Sequence, residues 1–390
     1  MANIVFFCIP AHGHTNPTLN VVRELTRRGH SVWYYSYETF RPQIEAAGAT
    51  FIPCDSYDME KRLTPKQASR MGKDLALSTK VLVDTTLALG ETVCRELEEL
   101  HPDCIVADSM AIWGKAFAGK LGIPYVCSTT TFAFNQHTAK LMRQSPGEFI
   151  RMLLSLPRIN RNLQLLQSKG YPFHTVMDIL VNDDSAHTVV YTSKQFQPYA
   201  ETFSGKTAFV GPSIRPAVDT VIKTREKLLY LSMGTVDNKM LPLYRRCIEA
   251  FRDADCQVIL SVGHQLPLDH FGSLPEHISV HASVDQIAVL QQADAFVTHC
   301  GMNSVSESLW FGVPLIMLPQ TPEQWSVANR VRELEAGILL SKTDPASLRS
   351  AVNTLWGNPV YRKNAREIAA GFRAAPGAAG AADKILSVCK

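Results

Sequence analysis

Short apolar runs alternate along this chain with longer stretches whose apolar positions recur every three or four residues. Asn3 to Ile9 is a run of the first kind. Pro17 to Arg28 has helical spacing, with Leu19, Val22 and Leu25 turned inward and Gly29 ending it. Ser31 to Ser36 predicts a strand, Thr39 to Ala47 a helix and Ala49 to Pro53 a strand. Residues 60 to 101 read as helical, Asp103 to Ala107 as a strand, Ala111 to Leu121 as a helix and Pro124 to Ser128 as a strand. Residues 134 to 185 are irregularly helical, and Thr188 to Thr192 and Ala208 to Val210 are the last strands of this half. Gly211-Pro212 then opens a stretch poor in buried positions, after which the alternation restarts. Leu228 to Ser232, Gln257 to Val262 and Ile278 to His281 read as strands; Leu241 to Arg252 and Ile287 to Gln292 read as helices. Helices are predicted over Glu323 to Glu335, Ala346 to Trp356, Pro359 to Phe372 and Ala379 to Cys389. This alternation predicts parallel sheets with crossover helices. The fold class is therefore α/β, with two facing Rossmann-like doubly wound domains and a cleft lined by the carboxyl ends of their strands.

One stretch has the layout of a ligand turn. Between the apolar runs Ala295-Phe296-Val297 and Leu315-Ile316-Met317-Leu318 lies His299-Cys300-Gly301-Met302-Asn303-Ser304, then a helix ended by Gly312-Val313-Pro314. Gly301 permits a tight turn, and Asn303 or Ser304 suits the helix cap. Backbone N–H groups and the helix dipole then point at an anion. A structural alternative exists, because Ser304-x-x-Glu307 spells a capping box. The next segment, Pro319-Gln320-Thr321-Pro322-Glu323-Gln324, adds a carboxylate and two amides past the following strand, which suits a hydroxyl-rich ligand.

Composition narrows the class. The 390 residues are 46% hydrophobic and 19% charged, with a net charge of +3, enough core for two domains and too little charge to imply nucleic acid. No stretch reaches the length of a membrane span, so no integral membrane contact is expected, and Ile4 to Ile9 reads as a strand instead of a leader. The nine cysteines form no CxxC pair, which fits reduced thiols in a cytoplasmic protein and argues against a zinc cluster.

The segments His299-Cys300-Gly301-Met302-Asn303-Ser304…Glu307…Gly312-Val313-Pro314…Pro319-Gln320…Glu323-Gln324 closely resemble the donor signature of the UDP-glycosyltransferase superfamily, and most of all its bacterial macrolide-type members of the GT-B fold. Ser232-Met233-Gly234-Thr235 resembles the family's first phosphate turn of the second domain. Pro10-Ala11-His12-Gly13-His14-Thr15-Asn16-Pro17 resembles its acceptor-site loop. The resemblance implies an amino-terminal acceptor domain over 1–212, a linker over 213–226, a donor domain over 227–358 and helices over 359–390 that pack back on the first domain. It implies that His299, Gly301, Asn303 and Ser304 hold a diphosphate with help from Ser232 and Thr235. Glu307 would then take the ribose, and Glu323 and Gln324 the sugar. Val284 and Gln286 match positions that meet the base, beside Ser283, where the family usually has a stacking tryptophan. Losing that stack is worth roughly 1–3 kcal/mol and leaves the choice of uracil less firmly held.

His14 matches the family's general base and Asp108 its partner carboxylate. By itself His14 also reads as a loop histidine satisfying a helix end, and Asp108 as a cap for the helix near Ala111. His12 reads as structural. His12-x-His14 lacks a third metal ligand, and Asp253-Ala254-Asp255 reads as a solvated turn, so no metal is expected. Phe132, Phe134 and Met142 are candidates for an acceptor wall, with Met152 and Phe173 further along, although core packing explains each as well. The resemblance implies an inverting, metal-independent transfer of a hexose, such as glucose from UDP-glucose, to a hydroxyl of a small lipophilic acceptor: a macrolide, flavonoid or other polyphenol. No cofactor is implied beyond the nucleotide-sugar co-substrate. A nucleotide-sugar 2-epimerase and a non-catalytic sugar-nucleotide-binding protein are the alternatives.

Overall fold

A computed structural model describes residues 1–57, 63–64, 67, 74–141, 146–175, 178, 186–234 and 240–389, with the side chains of 140–141 and 146–152 excepted. It divides into two units, Met1–Ser213 with Pro376–Lys390, and Ile214–Ala375.

In the first unit, strands β1 (Asn3–Phe7), β2 (Ser31–Ser36), β3 (Thr50–Pro53), β4 (Cys104–Asp108), β5 (Tyr125–Thr129), β6 (His187–Val190) and β7 (Thr207–Phe209) form one sheet in the order β3-β2-β1-β4-β5-β6-β7. Its pairings are parallel. Strand β1 shows why the sheet needs cover on both faces. Ile4 and Phe6 enter one core with Val22, Leu25 and Tyr34. Val5 and Phe7 enter the opposite core with Ile105, Ala107 and Phe117. Each such side chain contributes about 1.5–3 kcal/mol on burial, so a strand apolar on both sides is stable only between helix layers. Those helices include α1 (His12–Arg27), α2 (Arg41–Glu45), α3 (Leu75–Leu100), α4 (Ile112–Leu121) and α5 (Pro146–Ser168).

The second unit has six strands: β8 (Leu228–Ser232), β9 (Gln257–Ser261), β10 (Ile278–His281), β11 (Ala295–Thr298), β12 (Leu315–Met317) and β13 (Gly337–Leu339). Their order is β10-β9-β8-β11-β12-β13, again with parallel pairings. Helices α6 (Leu241–Phe251), α7 (Gln286–Leu290), α8 (Met302–Trp310), α9 (Pro322–Glu333), α10 (Pro345–Gly357) and α11 (Pro359–Ala374) accompany it, and the chain ends on α12 (Gly377–Leu386). Both sheets are Rossmann-like, and each reverses its strand order once, at β1/β4 and at β8/β11.

Three sequence expectations need correction. Helix α1 begins at His12, not Pro17, because the N–H groups of His14 and Thr15 already bond the Ala11 carbonyl, and Pro17 sits inside the helix. The return to the first unit falls at Pro376 instead of Pro359: α11 packs against α8 and α10, while α12 packs on α1 and buries Ala381, Ala382 and Ile385. The stretch read as a linker is fastened to the second unit. Asp285 accepts from the Arg215 guanidinium and from the N–H groups of Val218 and Asp219, and Asp294 accepts from Lys223, Arg362 and the N–H of Leu228. Burial alone raises the Asp285 pKa, but Arg215 and those N–H groups outweigh it and hold the carboxyl at about 2. Among the described residues no helix is long and apolar enough to cross a membrane.

Candidate active site

The first unit gathers its chemistry at the β1/β4 reversal. Strand β4 ends in Asp108, whose side chain is fully buried, and the first turn of α1 carries His14, whose side chain is 27% exposed. His14 Nδ1 lies 2.7 Å from Asp108 Oδ2 and 3.2 Å from Thr130 Oγ1. The other carboxylate oxygen accepts the N–H of Met110 at 2.8 Å. With the carboxylate fixed from both ends, Nδ1–H is the donor and Nε2 becomes the basic nitrogen. Asp108 does not cap α4, whose N-cap is Ala111 with no side-chain bond. His12 is exposed and packs its ring edge on Phe40, with centroids 5.1 Å apart.

The second unit gathers its chemistry at the β8/β11 reversal. His299 follows β11, and its ring lies between two glycine backbones. A Cβ on Gly234 would stand 2.6 Å from His299 Cε1, and one on Gly301 would stand 2.7 Å from Nε2. Only glycine leaves room for the imidazole at both turns. Burial lowers the His299 pKa to about 4, so the ring is neutral at pH 7, and Nδ1 is buried with no hydrogen-bond partner among the described residues. Helix α8 starts behind it with Gly301 as N-cap and no side-chain cap. Ser304 therefore occupies the third helical position, and the capping box read at Ser304-x-x-Glu307 is absent. Asn303 and Ser304 lie in the first helical turn, where N–H groups point out along the axis.

Glu307 points to a different partner. Gln286 Nε2 donates to Glu307 Oε2 at 2.6 Å and reaches Ser304 Oγ at 3.4 Å, while Tyr230 OH donates to Gln286 Oε1 at 3.3 Å. Burial raises the Glu307 pKa, and the Gln286 bond and the Arg215 charge pull against it. Ser232 ends β8, buried, and its Oγ accepts the N–H of Gly234 at 3.4 Å. Val284 is half-buried and Ser283 exposed in the loop after β10. A capping box does occur, one helix later than expected: Thr321 Oγ1 accepts from Gln324 N, and Gln324 Oε1 accepts from the N–H groups of Thr321 and Gln320. The Gln324 side-chain oxygen is thus committed to starting α9, and its NH2 group takes no part in the capping box. Glu323 precedes it, half-buried in the same turn.

Some candidates fall elsewhere. Phe132 is a core residue, 8% exposed and 5.6 Å from the Phe196 ring, which agrees with the core-packing alternative. Phe173 is also core, and Phe134 is half-buried. Thr235 and Met142 lie outside the described residues, as does the Met152 side chain. Asp255 is an exposed turn residue paired with Arg225. Sequence reasoning missed Tyr230, Thr130, Asp285 and Arg215. An aspartate directly before the helix at Gln286 is a cap signal that exposes Asp285; nothing local marks the others.

Two Rossmann-like parallel-sheet units match the GT-B fold, and comparison with known proteins gives the class, a sugar-nucleotide transferase. The family model described as "Erythromycin biosynthesis protein CIII-like, C-terminal domain" matches residues 245–388. The NDP-glycosyltransferase YjiC of Bacillus licheniformis is 34% identical over 98% of this chain and 96% of its own length. The demethyllactenocin mycarosyltransferase of Streptomyces fradiae is 32% identical over 99% of this chain and 86% of its own. Among solved structures, the calicheamicin glycosyltransferase CalG4 superposes with a TM-score of 0.82 at 28% identity, covering 100% of this chain and 98% of that one. The chain belongs to the bacterial macrolide-type NDP-glycosyltransferase family, and it is a glycosyltransferase.

Proposed function

We propose that this enzyme transfers a hexose, glucose from UDP-glucose in the first instance, to a hydroxyl of a small lipophilic natural product, with inversion and without a metal. The observation that carries the chemistry is the 2.7 Å bond between His14 Nδ1 and the fully buried Asp108. His14 Nε2 takes the acceptor's hydroxyl proton as that oxygen attacks the anomeric carbon, and the bond from that carbon to the diphosphate breaks. Two fields act on the imidazolium that forms. The amino-terminal dipole of α1 opposes it by about 0.3–1 kcal/mol. A hydrogen bond to a charged group favours it by about 1.5–3 kcal/mol, so the carboxylate prevails.

The departing diphosphate would lie against His299, Gly301, Asn303 and Ser304, with Ser232 beside it. Backbone N–H groups and a neutral imidazole N–H stabilise developing negative charge without a cation. Glu307 would accept the ribose hydroxyls, Val284 and Gln286 would meet the base, and Glu323 and the Gln324 NH2 group would hold the sugar. The relatives carry macrolide-type names, which supports an apolar polyhydroxylated acceptor, and the reduced cysteines support a cytoplasmic setting.

Mass spectrometry of NDP-sugars incubated with macrolide and phenolic acceptors tests the reading. The wild type adds one hexose mass to at least one acceptor. His14→Ala loses about 10²–10⁴-fold in rate. Product formation with no acceptor present would instead identify an epimerase, and undiminished transfer by His14→Ala removes the assigned base.

A further inference from the structure

Arg215 is used by none of the chemistry above. Its side chain is 44% exposed, whereas that of its partner Asp285 is 2% exposed. Nη2 donates to Asp285 Oδ1 at 2.5 Å, and Nη1 donates to the Pro216 carbonyl at 2.9 Å. A guanidinium is a rigid planar fork, and two bonds from different nitrogens fix the orientation of its plane. Asp285 is itself held by four donors, the last being the N–H of Ile287 at the start of α7. The anchor is therefore firm, and it stands next in sequence to Gln286, which bonds Glu307 and Ser304. The Arg215 charge also reaches Glu307, partly offsetting the effect of its burial. Ser283, two residues before Asp285, is exposed and offers only a hydroxymethyl group, so no side chain at that position presents a flat surface.

We infer that Arg215 is the stacking platform for the donor's nucleobase, its fixed guanidinium plane covering the ring while Gln286 meets the ring's edge. Guanidinium planes stack on nucleobases, and such platforms contribute about 1–3 kcal/mol per base. The inference rests on the reading of the second unit as the nucleotide-sugar site, and it names the group that holds the base.

Calorimetric titration of the full chain with UDP and, separately, with inorganic diphosphate tests it. Arg215→Ala is expected to weaken UDP roughly 5- to 150-fold, the range equivalent to 1–3 kcal/mol, and to leave diphosphate affinity unchanged. Arg215→Lys keeps the ion pair to Asp285, and with it the loop, but has no plane; it is expected to lose UDP affinity like alanine. Unchanged UDP binding in both variants overturns the inference, as does full recovery by lysine, which would make the contact one of charge. Loss of UDP and diphosphate together in the lysine variant also overturns it. Failure of the wild type to bind UDP or any other nucleoside diphosphate would instead remove the reading of the second unit.

Discussion

At the scale of single residues, environment decides role, and two histidines show it. His14 sits against a buried carboxylate and His299 against two glycine backbones. Replacing Asp108 by Asn keeps the shape and removes the charge. Loss of the charged share of that bond, about 1.5–3 kcal/mol, corresponds to roughly 10- to 150-fold in kcat, measured by initial rates with a saturating acceptor. His299 makes a prediction about stability. Its folded pKa, about 4, lies below the unfolded value of about 6.5, so over that window the unfolded chain binds the extra proton. The contribution is fully present above about pH 6.5 and is lost as pH falls toward about 4. Urea midpoints measured between those values should drop for the wild type and drop less for His299→Gln. An equal slope in the two proteins contradicts the buried-neutral assignment. The histidines and Asp108 were legible in the sequence through the family resemblance of their segments; taken alone, His14 also reads as a helix-end histidine and Asp108 as a cap. Arg215 was not legible, since its meaning comes from a partner 70 positions away.

At the scale of elements, the strands and their alternation were readable, because parallel strands buried on both faces leave uninterrupted apolar runs. Ser31–Ser36, Leu228–Ser232 and Ile278–His281 coincide with the expected limits. Strand β13 was missed: it is three residues long, and a Cβ on Gly337 would come within 2.5 Å of the Leu315 carbonyl, a constraint visible only from the neighbouring strand. Helix starts were less readable. Proline marked a start for α1 that the backbone had already made at His12, and the capping box was assigned to the wrong helix. That second misreading yields a prediction. Gln324→Ala deletes the acceptor for the N–H groups of Gln320 and Thr321 and should cost about 0.5–2 kcal/mol of stability, seen as a lower denaturation midpoint. If stability is unchanged, the bonds at the start of α9 are not formed in solution.

At the scale of the whole chain, the two units solve one problem twice, each placing its functional turn where the strand order reverses. The sequence announced that repetition, and it also announced a closing segment that returns to the first unit, but not where the return begins. Length and periodicity cannot choose between α11 and α12, whereas packing can: Ile385, 1% exposed, lies in the core with Val22 and Leu25. Ile385→Ala should therefore destabilise the first unit by about 2–5 kcal/mol, measurable by hydrogen exchange on β1 and α1. Unaltered protection there would detach the carboxyl-terminal helix from that core.

The cap on α9 bears on any attempt to redirect this enzyme to another sugar. If Gln324 holds the sugar as proposed, a library randomised at position 324 would be selected first for chains that still begin that helix, and only then for the sugar they accept. Glutamate is the replacement that separates the two demands, since it completes a capping box as glutamine does but presents an acceptor where glutamine presents a donor. A shift in sugar preference in Gln324→Glu would then come from the ligand's hydroxyls and not from a loosened helix.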